Sequence, residues 1–221
     1  MDAQLISQVM EATGETLIMV FFSTLFSLVL GLPLGVLLHI TGKEEAGGIM
    51  PHPVFNNVLS RIVDILRSFP FIILLIVLIP LSRIIVGTSI GTKAAIVPLS
   101  IAAAPFVARI IESALKEVDP GVMQAAKAMG STNWQLVYKV LIPEAMPSLM
   151  SGLTLTIINL IGYSAMAGTI GGGGLGDLAI RYGYQRFRPS YIVAAVIVIL
   201  VIVEVIQLAG DRIVKHMMSH R

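Results

Sequence analysis

The 221-residue sequence contains no cysteine, which excludes disulfide bonds, thiolate chemistry and metal sites built on cysteine. Charged residues are also scarce: they form 13% of the chain, against about 25% in a typical soluble domain. No lysine or arginine precedes Lys43, so the first apolar run lacks the basic region of a signal peptide and is predicted to be a retained helix. Because no G-x-x-x-x-G-K-[ST] loop occurs, ATP binding through a Walker motif is not expected.

Apolar residues dominate what is present. They form 56% of the sequence, and the mean hydropathy is +0.89. These values predict an all-α integral membrane protein that forms a single transmembrane domain over residues 1–221. A helix needs about 20 apolar residues to cross a bilayer. Five runs meet this requirement, at 16–40, 58–81, 92–113, 148–168 and 190–210, with polar segments at 1–13 and 211–221.

Glycine and proline interrupt the first two runs. Gly31 and Gly35 form a G-x-x-x-G pattern, which permits the close approach of a second helix. Pro33, inside that pattern, predicts a kink in the first helix. Pro70 predicts a bend in the second.

A few charged side chains fall within the predicted spans. Asp64 lies three residues from both Arg61 and Arg67, so all three share one helix face. This face is either a solvated helix end at the lipid headgroups, or a charged mouth or interface. Glu204, in the last third of the fifth run, is either a proton relay or a residue near the interface with a local partner.

Residues 119–147 form the longest polar-leaning segment between apolar runs. Asp119 is expected to cap a short helix that has Pro120 at its first position, where a missing N–H costs nothing. Gly130 stands where a glycine ends a helix. Two well-signalled helices in one loop indicate either a docking element or an ordered loop packed on its own bundle.

The second helix of this segment has a clear start. Thr132 and Gln135 have the spacing of a capping box, in which each side chain bonds the other residue's backbone N–H. Pro143 is expected to end this helix, so that the fourth span begins at residue 148.

Polar side chains also lie in the fourth span. Asn159 is near its middle, where an amide needs a partner; this partner is either a neighbouring helix or the contents of a pore. The candidate lining residues are Asn159, Tyr163, Ser164 and Met166, and the thioether of Met166 suits an adaptable apolar gate.

Enzyme motifs are not supported. The glycine run at 171–176 matches G-x-G-x-x-G in form but follows a membrane helix, whereas the dinucleotide fingerprint needs a preceding strand. We expect a flexible or tightly turning loop there. The four histidines are dispersed, and no nucleophile stands beside a base. No catalytic residue, metal or cofactor is therefore predicted.

The 119–147 segment resembles the EAA loop of ABC-importer permeases, in which Glu-Ala-Ala is followed by glycine and then by an apolar stretch ending in proline. Gln124 stands where that family has glutamate, so a salt bridge at this position does not carry over. The matching residues are Ala125, Ala126, Gly130, Ile142 and Pro143.

The resemblance extends along nearly the whole chain to one subgroup, the methionine ABC-transporter permeases. The matching stretches are 67–74, 85–91, 94–99, 103–106, 162–166, 173–176 and 210–214. The family implies a five-span permease homodimer in the bacterial inner membrane. It also implies two cytoplasmic ATPase subunits and a methionine-binding lipoprotein, with D- and L-methionine as candidate cargo. No nucleic acid partner is expected.

The resemblance assigns the 119–147 segment to contact with the ATPase. An apolar edge at helical spacing, formed by Val122, Met123, Ala126 and Met129, is expected to seat in a groove of that subunit. Ala125 and Ala126 keep the helix narrow enough for close approach, and Gly130 reverses the chain. The residues expected to couple to the ATPase are Val122, Met123, Gln124, Ala125, Ala126, Met129 and Gly130.

Basic residues predict the orientation, because cytoplasmic loops carry an excess of them. Placing the C-terminus in the cytoplasm puts ten of the 15 lysines and arginines on that side and five outside. The N-terminus is then outside and the 119–147 segment is cytoplasmic.

Two other function classes remain open at this point. One is an ion-coupled secondary transporter or channel that uses Glu204 or the Asp64–Arg67 face. The other is a membrane scaffold, which would transport nothing.

Overall fold

The computed structural model describes residues 3–44 and 47–219, and helices account for most of them. Two π-helical stretches, Leu136–Leu141 and Leu178–Tyr184, lie between α-helices. The α-helices are α1 (Ala3–Ile40), α2 (Pro53–Ser68), α3 (Phe71–Val86), α4 (Thr92–Lys116), α5 (Pro120–Ala128), α6 (Asn133–Gln135), α7 (Ile142–Gly168), α8 (Gly174–Asp177) and α9 (Pro189–Ser219). The predicted all-α class is confirmed.

Several of these helices are long enough to cross a membrane. Within the described ranges there are four, or five if α2 and α3 count as one broken span. The four are Ala3–Ile40, Thr92–Lys116, Asn133–Gly168 and Pro189–Ser219. Each contains one of the predicted runs.

The predicted second span, 58–81, is wrong as a single helix. The chain instead forms α2 and α3, separated by Phe69 and Pro70. Pro70 precedes the first residue of α3 with an extended ψ of 120°. Proline offers no N–H to the preceding turn and disfavours the helical conformation of the residue before it, so the helix ends here rather than bending.

Helix ends also differ from prediction. α1 begins at Ala3, so the expected polar segment 1–13 is helical throughout its described part. α9 continues to Ser219, so most of the expected tail is helical too, while residues 220–221 lie outside the described ranges. Hydropathy marks the part of a helix that fits the hydrocarbon region, whereas polar turns can extend the same helix beyond it.

The chain divides into two compact units, and unit 1 comprises the described residues up to Ser27 together with Phe69–Ala103 and Leu155–Ala209. One apolar cluster joins α1, α3, α4 and α7 through the fully buried Met19, Leu75, Leu99 and Leu160. A second cluster packs α8 and the start of α9 on the first turns of α1.

Unit 2 comprises Leu28–Ser68, Ala104–Thr154 and the described chain from Gly210. Its main cluster contains the buried residues Ile40, Ile49, Val107, Ile111, Leu115, Ala126, Leu136, Val137, Leu141 and Ala145. The 119–147 segment therefore packs on the end of α1 and the second half of α4.

The predicted close approach at the G-x-x-x-G pattern is confirmed within unit 2. A Cβ added to Gly31 would lie 2.7 Å from Val107 Cβ, and one added to Gly35 would lie 2.6 Å from the carbonyl oxygen of Ala108. α1 and α4 meet here backbone to backbone, which only glycine allows. α1 continues through Pro33 to Ile40.

Candidate functional site

Helix α5 begins as the sequence predicts. The Asp119 carboxylate accepts a hydrogen bond of 2.7 Å from the backbone N–H of Gly121, and Pro120 occupies the first helical position. A carboxylate at this end also faces the positive pole of the helix dipole. The local sequence therefore fixes where α5 starts.

The end of α5 is fixed by Gly130, which has a φ of +84°. Its N–H donates to the carbonyl of Lys127 at 2.9 Å, and the N–H of Ser131 donates to that of Ala126 at 3.2 Å. These two bonds form a Schellman motif, which satisfies the last carbonyls of the helix and reverses the chain. The predicted role of Gly130 as a helix-ending residue is confirmed.

The predicted apolar edge of α5 faces two ways. Ala126 is buried, and Met123 packs partly buried against the main cluster of unit 2. Val122 and Met129 are exposed, Met129 by 82% of its surface. Two residues of the edge therefore anchor the helix to its own chain, while the others are free to meet a partner.

The exposed face of α5 carries small side chains as well. Gln124, Ala125 and Gly130 are all exposed. Gln124 also lines a cavity of about 420 Å³ beside the start of α5, together with Lys116 and Lys127. Gln124, which stands where the EAA loop has glutamate, is thus accessible.

The capping box of α6 is confirmed, but its predicted end is wrong. Thr132 N–H donates to Gln135 Oε1 at 2.9 Å, and Gln135 N–H donates to Thr132 Oγ1 at 3.4 Å. The helical path then continues through Leu136–Leu141 and Pro143 into α7. The π-helical stretch, which is wider than an α-helix, ends two positions before Pro143, so the helix is already locally distorted where it meets a residue without an N–H.

An exposed aromatic pair was not identified from the sequence. The rings of Trp134 and Tyr138 stack with centroids 5.9 Å apart, and the two residues are 60% and 64% exposed. Their i,i+4 spacing in a helix was the signal that could have found them. They extend the exposed surface beyond α5.

The four lining candidates on α7 do not share one face. Asn159, Tyr163 and Met166 follow one another at helical spacing, and Met166 is 48% exposed. Tyr163 stacks on Phe71 with centroids 4.1 Å apart. Ser164 is buried, and its hydroxyl donates to the carbonyl of Ile161 at 2.7 Å.

Of the two forms expected for the glycine run, a flexible or a tightly turning loop, the structure shows the turn: it covers residues 169–173, with positive φ at two glycines, and the chain then enters α8. Gly174 N–H donates to the Glu15 carboxylate at 2.6 Å, and Leu175 N–H donates to Thr16 Oγ1 at 2.9 Å. A Cβ on Gly174 would lie 2.6 Å from Thr16 Oγ1, so α1 and α8 meet only because that side chain is absent. The partners are far apart in sequence, and the pattern 171–176 alone could not show them.

One carboxylate of this segment has a raised pKa. Burial raises the pKa of Asp177, and the nearby charge of Glu15 raises it further. Arg181, 3.2 Å away, opposes both effects.

The charged face of α2 has a partner that spacing did not predict. Asp64 lies 2.8 Å from Arg109 of α4 but 3.9 Å from Arg67. Arg61 and Glu204 are exposed. The described residues contain no group of three or more histidine, aspartate or glutamate side chains that could hold a metal ion.

A search against protein-family models matches residues 31–219 to the family described as "Binding-protein-dependent transport system inner membrane component". The chain is also similar to curated proteins named "Probable D-methionine transport system permease protein MetI". It is 49% identical to the protein from Vibrio cholerae serotype O1 and 51% identical to that from Pasteurella multocida, each over 210 residues. These alignments cover 95% of this chain and 92% and 95% of the relatives.

The chain is also similar to solved structures of ABC transporters. A structure of inward facing conformations of the MetNI methionine ABC transporter aligns with a TM-score of 0.95 at 46% identity, covering 98% of this chain and 99% of that chain. A crystal structure of an amino acid ABC transporter with histidines aligns with a TM-score of 0.65 at 23% identity, covering 98% and 94%. The second similarity is one of fold alone.

Proposed function

We propose that this chain, which belongs to the family of binding-protein-dependent transport system inner membrane components, is the permease subunit of an ATP-driven methionine importer. The observation that carries the proposal is α5, a short capped helix whose outer face is exposed and whose inner face is anchored to its own bundle. Such a helix suits contact with an energy-supplying subunit, and the sequence contains no Walker loop of its own. The chain is a transport subunit and not an enzyme.

The proposed assembly contains two copies of this permease, two cytoplasmic ATPase subunits and a methionine-binding lipoprotein, in contact with lipid. Exposed apolar side chains along α9, among them Val196, Leu200 and Val205, suit lipid or a second permease copy. The proposed cargo is methionine, in its D and L forms. The ion-coupled alternative finds no support in the comparisons.

We place the chain as a multi-pass protein of the bacterial inner membrane with its N-terminus outside and its C-terminus in the cytoplasm. The excess of lysine and arginine assigned to the cytoplasmic side supports this orientation. α5 and α6 then face the cytoplasm, where an ATPase can reach them.

Coupling is proposed to run through α5 as a rigid element. Val122, Gln124, Ala125 and Met129 meet the ATPase. Met123 and Ala126 hold the helix to α4, and Gly130 fixes the direction in which the chain leaves. Closure of the two ATPases on ATP would move α5, and the continuous path from Thr132 to α7 would transmit this movement.

The translocation path is proposed to follow the face of α7 that carries Asn159, Tyr163 and Met166. Leu155 and Gly162 are exposed on the same face, which extends it along the helix. Ser164, which is buried on the opposite side, is proposed to serve packing near the path rather than contact with cargo.

Single cysteines test this path cleanly, because the chain has none of its own. A hydrophilic thiol reagent is expected to modify Met166→Cys about tenfold faster than Ser164→Cys, whose position is protected by burial. The rate at residue 166 should change between the nucleotide-free and the vanadate-trapped complex. A lipid-facing position would instead react only with membrane-soluble maleimides, and that result would remove Met166 from the path.

Purification and uptake test the function itself. A tagged permease should co-purify with its ATPase and, in proteoliposomes with the binding protein, accumulate methionine in a vanadate-sensitive manner. Competition by unlabelled D- and L-methionine compares the two forms. Uptake that is driven by an ion gradient and is insensitive to vanadate would contradict the importer proposal.

A further inference from the structure

Arg109, in the second half of α4, holds two helices of unit 2 at once. Its Nη2 lies 2.8 Å from Asp64 Oδ1 and donates to Ser60 Oγ at 2.5 Å, both on α2. Its Nη1 donates to Glu112 Oε2 at 2.6 Å. The Arg109 side chain is only 20% exposed, whereas that of Asp64 is 49% exposed, so the network is enclosed at Arg109 and opens toward the surface at Asp64.

The network continues to the foot of α4. Glu112, with a side chain 9% exposed, also accepts a hydrogen bond of 2.7 Å from Lys116 Nζ. Lys116 is the last residue of α4, three positions before Asp119, which caps α5. Charged contacts therefore run from the end of α4 to α2, and only two residues separate Lys116 from Asp119.

Packing alone does not require these charges. Leu38, Val63 and Ala108 already join α1, α2 and α4 in a buried apolar cluster. Enclosing ionised groups is unfavourable unless all are paired, and apolar residues of similar size often give equal or greater stability. The charges of Arg109 and Glu112 therefore need an explanation other than packing.

We propose that Arg109 is a positioning residue for energy coupling, which fixes α2 to α4 so that a displacement of α5 also moves α2. This inference rests on the proposed importer function. Arginine suits the role because its planar guanidinium donates in several fixed directions, toward α2 and toward Glu112 together. Lysine keeps the charge but has no such fork, so it cannot maintain both connections.

The decisive measurement is methionine transported per ATP hydrolysed, in proteoliposomes that contain the complete importer. In Arg109→Lys this ratio is expected to fall about tenfold, within the range known for residues that couple distant sites, while ATP hydrolysis stays within about twofold of wild type. The matched control is Arg61→Lys, the same substitution at an exposed position of α2, and it should keep the wild-type ratio.

A second variant keeps the test decisive if Arg109→Lys does not assemble. Asp64→Asn removes one charge on the α2 side and leaves Glu112 paired, and it should lower the ratio about threefold. In a third variant, Ser60→Cys with Arg109→Cys, a short bifunctional thiol reagent should restore the ratio by rejoining the helices. A role in stability alone predicts no such rescue.

The outcomes distinguish failure of the coupling role of Arg109 from failure of the importer function. If transport and hydrolysis fall in proportion, or if Arg61→Lys loses the ratio equally, the coupling role of Arg109 is overturned. An unchanged ratio in both Arg109→Lys and Asp64→Asn overturns it as well. If the wild-type complex shows no ATP-driven uptake, the importer function fails first, and the coupling role fails with it.

Discussion

Replacing Gly35 with leucine is expected to lower the free energy of unfolding by about 3 kcal/mol or more, because the new side chain has no space. Its Cβ alone would lie 2.6 Å from the carbonyl oxygen of Ala108 and 2.7 Å from Ile111 Cβ. The first of these atoms belongs to the backbone of α4, so it cannot move without moving the helix. A bulky residue must therefore separate α1 from α4 within unit 2.

Gly14→Leu is the matched control for this prediction. Gly14 lies in the same helix, but a Cβ there would meet no heavy atom within 4 Å. Thermal unfolding in detergent should show a midpoint lower by about 6–12 °C for Gly35→Leu and nearly unchanged for Gly14→Leu. Equal midpoints for the two variants would mean that α1 and α4 do not pack this closely in the protein.

Gly35 also shows which features can be predicted from the sequence. Two glycines four residues apart predict a helix contact, because the spacing itself places both on one face. Asp119 and Gly130 are equally local signals, since a cap and a left-handed turn each depend on residues within one or two helical turns. These predictions were confirmed because no distant part of the chain decides them.

Contacts between distant residues were not predicted. Asp64 was assigned to arginines three residues away, yet Arg109, 45 positions along the chain, is its nearer partner. The glycine run predicts a flexible or tightly turning loop around Gly174, but it does not predict that Glu15 binds this residue from another helix. No periodicity connects such pairs, so only the folded chain reveals them.

The faces of α5 depend both on local helical spacing and on contacts with distant residues. Helical spacing predicts one apolar edge of Val122, Met123, Ala126 and Met129, but the structure divides it into a buried and an exposed part. Spacing does not show which part of an edge the chain buries against itself. The packing of Leu115, Leu136 and Leu141 beneath α5 decides that Ala126 points inward.

In Gly130→Val, ATP-driven uptake of methionine is expected to fall at least about tenfold while the permease stays folded. Valine at the φ of +84° costs about 1–2 kcal/mol or more, and unwinding the end of α5 relieves this strain. Unwinding breaks the hydrogen bonds to Lys127 and Ala126 and displaces Met129, the exposed apolar residue that directly follows α5. Gly130→Asn should retain most uptake, since asparagine tolerates this conformation.

A valine at another glycine with a left-handed backbone conformation provides the control. Gly87 ends α3 with a φ of +78°, and a Cβ at either glycine would meet no heavy atom within 4 Å. Gly87→Val therefore imposes a comparable backbone cost outside the coupling segment, and it should retain uptake. If both valine variants lose uptake equally, strain alone explains the loss. Valine cannot readily adopt the left-handed conformation on which the end of α5 depends. If Gly130→Val nevertheless transports normally, the end of α5 is not needed for coupling.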